Sequence, residues 1–205
     1  MNKNIYKGRV VTLNLETVTL PNGATVELEI IRHPGAAAIV PLKDERTVVL
    51  IRQYRHAAGG FIYEIPAGKL HPGEDPRACA ARELEEEIGY RVSSLELLTS
   101  IFTAPGFADE VIHIYQGTGL TPGTQNLSHD EVLEVIELSL DRAIAMKPGA
   151  DCPPYQASLE PLRSIKSQRM STLPPVGLDS LQARRPRACE VERHSIDLGA
   201  RVRRL

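Results

Sequence analysis

Gly68–Tyr90, GKLHPGEDPRACAARELEEEIGY, is the stretch around which the rest of the chain is read. Asp75 followed by Pro76 is a helix start: an oxygen acceptor at the N-cap, then a residue whose φ is already set and which has no N–H to leave unsatisfied. Gly89 is a stop, because glycine takes the left-handed C′ conformation without a Cβ penalty. Between them Ala78, Ala81, Leu84 and Ile88 recur at three- and four-residue spacing and predict one apolar face. Glu83, Glu86 and Glu87 recur at similar spacing on another face. Three unpaired carboxylates on neighbouring turns repel, and a helix built only for stability would interleave lysines there. A hard cation such as Mg²⁺ converts that repulsion into binding. Glutamates alone would read as a solvated surface. Here Glu74 in the entry loop can fold back over the same face and Arg82 stands beside it in the sequence.

With its glycine-rich entry, capped helix and arginine beside the acidic face, the stretch resembles the Nudix hydrolase signature. That signature runs glycine, five residues, glutamate, seven residues, then Arg-Glu-apolar-x-Glu-Glu-x-Gly-apolar. Gly68, Glu74, Arg82, Glu83, Leu84, Glu86, Glu87 and Gly89 fall in place, and only Tyr90 departs, where an aliphatic residue is usual. The resemblance implies an α/β (α+β) fold: an α/β/α sandwich with mixed curved sheets.

The chain has 205 residues, 42% of them hydrophobic and 24% charged, which suits one ordinary soluble domain plus extras. It holds no apolar run near the ~20 residues of a membrane span, and MNKNIYKGRVV lacks the apolar core of a signal peptide. Cys79, Cys152 and Cys189 are odd in number and without metal-ligand spacing, so a reduced, cytoplasmic protein is expected. The net charge of −2 conceals an asymmetry, since the residues from Asp151 onward carry ten Lys/Arg against six Asp/Glu.

In chain order, Tyr6–Asn14 and Glu16–Leu20 read as strands, Pro21-Asn22-Gly23 as a hairpin turn and Thr25–Arg32 as the return strand. Residues 1–35 are thus expected to form an antiparallel β meander. Ala36–Pro41, Thr47–Arg55 and Phe61–Ile65 read as strands before the helix; Leu95–Phe102, Glu110–Gln116 and Glu131–Leu138 follow it. A loop is expected over Gly117–Gln125, and Ser139 caps a short helix over Leu140–Met146. Residues 36–147 make up the expected Nudix domain. Residues 148–205, with Pro153-Pro154, Pro174-Pro175 and Arg184-Arg185-Pro186-Arg187, read as a disordered or loosely packed tail. A solvated appendage is the preferred reading of that tail over a nucleic-acid arm, and no repeats appear.

Thr103-Ala104-Pro105-Gly106-Phe107 sets a proline 16 residues after Gly89, with Arg52-Gln53-Tyr54-Arg55 and Glu64-Ile65-Pro66-Ala67-Gly68 upstream. This combination is similar to the ADP-ribose pyrophosphatase subfamily over roughly residues 5 to 146. The resemblance implies Mg²⁺ (Mn²⁺ as the alternative) held by Glu83, Glu86, Glu87 and the carbonyl of Ala67, with Arg82 orienting the glutamates. It implies substrate contacts at Arg55, whose planar fork suits a phosphate, at Glu64 and near Pro105, with Arg32 and His33 placed toward the nucleobase. The resemblance implies a general base in the run Ser128-His129-Asp130-Glu131-Val132-Leu133-Glu134, with Glu131 first and Asp130 or Glu134 behind it. The same resemblance implies a homodimer through the N-terminal sheet and a nucleoside diphosphate sugar as substrate. Another nucleotide substrate, or a non-catalytic ligand-binding module of the same fold, stays open.

Overall fold

The computed structural model describes residues 2–146 together with Leu162 and Ile165, all within one compact unit, Met1–Thr172. Three strands, β1 (Asn2–Lys7), β2 (Thr12–Thr19) and β3 (Thr25–Arg32), form an antiparallel sheet of their own. The first break differs from the sequence expectation. The chain turns at Gly8, whose N–H donates to the Val11 carbonyl at 2.9 Å, and β2 runs unbroken through Leu15. The second turn forms where Pro21-Asn22-Gly23 predicts it, with Gly23 at φ 85°.

Two further sheets frame the centre. β4 (Ala36–Pro41), β7 (Ala67–Lys69), β8 (Tyr90–Phe102) and β9 (Val111–Pro122) assemble in the order β7-β4-β9-β8. β5 (Thr47–Arg55), β6 (Gly60–Glu64) and β10 (Leu133–Ser139) assemble as β10-β5-β6. β4 and β9 are parallel and their other neighbours antiparallel, so the sheet is mixed. β7 is absent from the sequence reading because Pro66-Ala67-Gly68 looks like a turn; it is a three-residue edge strand laid against Ala36–Ala38. β9 also runs on into the expected loop, as far as Pro122. Gly117 sits inside the sheet because Ile39 Cδ1 stands 2.7 Å from where its Cβ would be, a packing requirement invisible in the local sequence.

Helix α1 (Pro76–Ile88) starts and stops at the expected residues. Asp75 accepts from the Arg77 N–H at 2.8 Å, and Gly89 takes φ 70° while donating to the Glu85 carbonyl. Its buried stripe is different, however. Cys79, Ala80, Leu84 and Ile88 face the sheet with Glu83 and Glu87 among them, while Ala78 is exposed and Ala81 only partly buried. α1 packs on Ala37, Ile39, Val49, Ile51 and Tyr115. The opposite faces of the same strands present Ala38, Val40, Val48 and Leu50 to helix α2 (Leu140–Ala145), which Ser139 caps at 3.2 Å through the Arg142 N–H. Alternation of side chains along each strand thus divides one set of strands between two cores, giving the expected α/β/α layering.

Leu162 and Ile165 are fully buried in the α2-side core, beside Leu42 and Leu140. Both fall in the stretch expected to pack loosely. Their i, i+3 spacing places two large side chains on one helical face, and it was masked in the sequence by the prolines around it. The remaining residues of that stretch, with Cys152 and Cys189, lie outside the described residues.

Candidate active site

Glu83 and Glu87 are on the buried side of α1, at 8% and 3% exposure, and Glu86 is at its edge. They are not an unpaired row, because Arg82 reaches three carboxylates at once. It grips Glu74 through two hydrogen bonds (2.9 and 3.0 Å) and meets Glu83 at 2.6 Å and Glu86 at 2.9 Å. The guanidinium is planar and carries five donors, which is why a single arginine can do this where a lysine could not. Its bonds hold the Glu74 carboxyl down to about 2. Glu87 instead accepts the Ala67 N–H at 2.9 Å. Burial pushes the Glu87 carboxyl up to about 8, against the relief of that amide; Glu83 and Glu131 push it further and Arg55 pulls it back. Glu83 is raised as well, by burial, with Arg82 opposing.

Gly68 makes room for the Glu83 carboxylate on the α1 side of β7. A Cβ there would collide with the Glu83 carboxylate, so only glycine leaves this opening in β7. Across it lies a cavity of about 440 Å³ on the sheet face opposite α1. Its floor is Ala36, Ala38, Ile112 and Ile114, and Phe102 overhangs one end. Arg55, Glu64, Ala67, Lys69, His33, Thr103 and Glu110 line its walls.

Arg55 and Glu64 are brought together: Arg55 Nε donates to Glu64 at 2.9 Å, and burial raises the Glu64 carboxyl despite that partner. Arg32 is placed elsewhere. It binds Glu16 twice, at 2.6 and 2.9 Å, and Asp109 at 2.9 Å, tying the N-terminal sheet to the loop after β8. Pro105 shapes that loop, which docks on β3 through Ile31 and Phe107 at 2.8 Å, but the proline does not line the cavity. His33 does line it. Of the three candidate acids around the start of β10, Asp130 in the preceding loop is paired with Arg9 at 3.1 Å and Glu134 within the strand with Arg52 at 3.2 Å. Among the described residues the Glu131 carboxylate accepts only its own turn's Ser128 N–H, at 2.7 Å, and it lies close enough to add to the repulsion on Glu83 and Glu87. That loop is fastened to the end of α1 by Gln125, whose Nε2 donates to the Glu87 carbonyl at 2.7 Å, and by the Asn126 N–H on the Glu86 carbonyl at 2.9 Å.

Among the described residues no three His, Cys, Asp or Glu side chains converge as they stand on a point that would hold a metal ion. The carboxylates are turned onto Arg82 and the Ala67 amide. Their chemistry nonetheless fits a hard divalent cation: oxygen donors, two of them buried beside Gly68 and Ala67, with Glu83 and Glu131 adding to the proton affinity of Glu87. Lys69, Thr103, Glu110 and Gln125 escaped the sequence reading. Alternation about Gly68 was the available signal for Lys69; the other three are assembled only by sheet registry and loop docking.

Residues 32–156 match the NUDIX domain family model. The chain is 49% identical over 144 residues to a methanol dehydrogenase activator of Bacillus methanolicus, covering 69% of this chain and 78% of that protein. It is 41% identical over 146 residues to an ADP-ribose pyrophosphatase of Bacillus subtilis (strain 168), covering 70% and 79%. Among solved structures, an ADP compounds hydrolase superposes with a TM-score of 0.70 at 21% identity, over 83% of this chain and 92% of that one, which speaks for the fold. Signature helix, opening at Gly68 and layered sheets therefore have one explanation, and the chain belongs to the Nudix family.

Proposed function

We propose that this Nudix pyrophosphohydrolase hydrolyses the diphosphate bond of ADP-ribose, giving AMP and ribose 5-phosphate. The observation that carries the reading is that buried Glu87 accepts the N–H of Ala67 and feels the charge of Arg55, two residues that line the cavity together with Glu64. The 41% identical relative named an ADP-ribose pyrophosphatase supplies the substrate. Glu83, Glu86 and Glu87, with the Ala67 carbonyl, would hold Mg²⁺. Bound there, the cation supplies charge neutralisation of the diphosphate and an activated water.

The side chains divide the remaining work. Arg82 keeps Glu83 and Glu86 oriented and Glu74 ionised. Arg55 leaves Glu64 for a phosphoryl oxygen, a better partner for a planar fork than a lone carboxylate oxygen. Glu131 leaves the Ser128 amide and takes the proton of the attacking water, acting as the general base. The N-terminal sheet and its first turn, which expose Ile5, Tyr6 and Leu28 on strands and Val10 in the turn, are the surface we assign to a second copy of the chain. No helix among the described residues is long and apolar enough to cross a membrane, and Cys79 is a buried free thiol. We place the protein in the reducing cytoplasm on these grounds.

A second reading rests on the 49% identical relative: that the chain acts on a dehydrogenase and not on a free nucleotide. Product analysis of the purified chain alone separates the two. Release of AMP and ribose 5-phosphate from ADP-ribose, faster than cleavage of GDP-mannose, is the expected result. Preference for GDP-mannose would move the substrate, and no cleavage of any nucleoside diphosphate sugar would favour the second reading.

A further inference from the structure

Gly68 divides the side chains of β7. Its missing Cβ points at Glu83 on α1, so strand alternation sends Ala67 and Lys69 to the other face, into the cavity. The registers confirm the direction. Lys69 pairs with Ala36, Ala36 with Ile112, and Ile112 with Ile101, and all four line the cavity as one row across the sheet. At about 4.8 Å per strand, Lys69 stands about 14 Å from Ile101, at opposite ends of an apolar floor.

The cations around this cavity differ in their commitments. Arg55 is paired with Glu64, and Arg82, behind the sheet, is shared among Glu74, Glu83 and Glu86. The Lys69 side chain has no ion pair or hydrogen bond among the described residues; only its backbone is used, its carbonyl accepting from Arg82 and from the Cys79 thiol. A lysine is a flexible point charge on a long stem, and beside an apolar floor it can lay the stem down and offer the ammonium to an anion. It also follows directly on Ala67 and Gly68, the two cavity-lining residues that Glu87 and Glu83 touch from the α1 side.

The geometry points to Lys69 as a further substrate-binding residue. Its ammonium meets the phosphoryl group on the cavity side of the bound diphosphate, the one that departs with the sugar seated on the Ala36–Ile112 floor. This inference rests on the proposed reading of the site as one for nucleoside diphosphate sugars. It assigns the two faces of the sheet different tasks: carboxylates and cation on the α1 side, a protein cation on the other.

The test is calorimetric titration of the full-length chain with ADP-ribose and a panel of nucleoside diphosphate sugars, turnover being stopped with chelator. Wild type, Lys69→Met and Lys69→Arg are compared at low and high salt. The expected result is an affinity for ADP-ribose about tenfold weaker in Lys69→Met, as for loss of one charge-assisted contact. A shallower salt dependence should accompany it, with recovery in Lys69→Arg. Equal affinity and salt dependence in wild type and Lys69→Met would overturn the inference while leaving the ADP-ribose reading intact. Binding of another panel member, weakened in Lys69→Met, would move the substrate and keep the role of Lys69. A wild-type chain that binds none of the panel would overturn both.

Discussion

Glu87→Gln is expected to lower metal-dependent turnover by about two to three orders of magnitude and, at the same time, to stabilise the metal-free protein at alkaline pH. The first effect follows from removing one of the carboxylates proposed to hold the cation, since a neutral amide is a weaker ligand for Mg²⁺. The second follows from the carboxyl's being pushed up to about 8 by burial. A carboxyl whose folded pKa is raised prefers the protonated form in the native state. Its favourable contribution is fully present below the unfolded value near 4.5 and is lost as pH rises through about 8. Metal-free wild type should therefore lose stability across that window, whereas the glutamine variant, neutral throughout and still able to accept the Ala67 N–H, should lose less. Thermal melts in chelator at several pH values check this. Parallel Tm-against-pH curves for the two proteins would contradict it.

Leu162→Ala combined with Ile165→Ala is expected to cost about 4–10 kcal/mol, since each truncation leaves a cavity in a fully buried site. That approaches the whole stability of an ordinary domain. The expected result is a Tm lower by at least about 10 °C, or a chain that does not fold at all. Leu162→Met, which keeps the volume, should melt close to wild type. A Tm unchanged in the double variant would mean that these two side chains are not part of the core against which β4, β5 and α2 pack.

Helix α1 was legible to the residue because all its signals are local: an acceptor and proline at one end, glycine at the other, and a helical period between. The strands with continuous apolar runs, β4 and β5, were equally plain. What escaped depends on partners distant in sequence. Gly117 reads as loop until Ile39 is placed against it, and Ala67–Lys69 becomes a strand only because Ala36–Ala38 lies alongside. The acidic residues on α1 were visible as types and spacing. That Glu83 and Glu87 face inward was not, because the burial of a carboxylate is decided by the glycine opposite and by the Ala67 amide. Arg32 was read toward the nucleobase from its position after the meander. Its partners Glu16 and Asp109 lie 16 and 77 residues away, so the tether they form had no local signature.

The most direct test of the central claim compares ADP-ribose turnover by the full-length chain with Mg²⁺, with chelator, and in a Glu86→Gln variant. Glu86 is the informative position because it lies at the edge of the helix face, so a folded variant is expected and a loss can be assigned to chemistry. The proposed function predicts AMP and ribose 5-phosphate from the wild type with Mg²⁺, none with chelator, and a loss of about two orders of magnitude or more in the variant. Turnover that persists in chelator, or that is unchanged in a folded Glu86→Gln protein, would contradict the assignment of the α1 carboxylates to a metal-assisted hydrolysis.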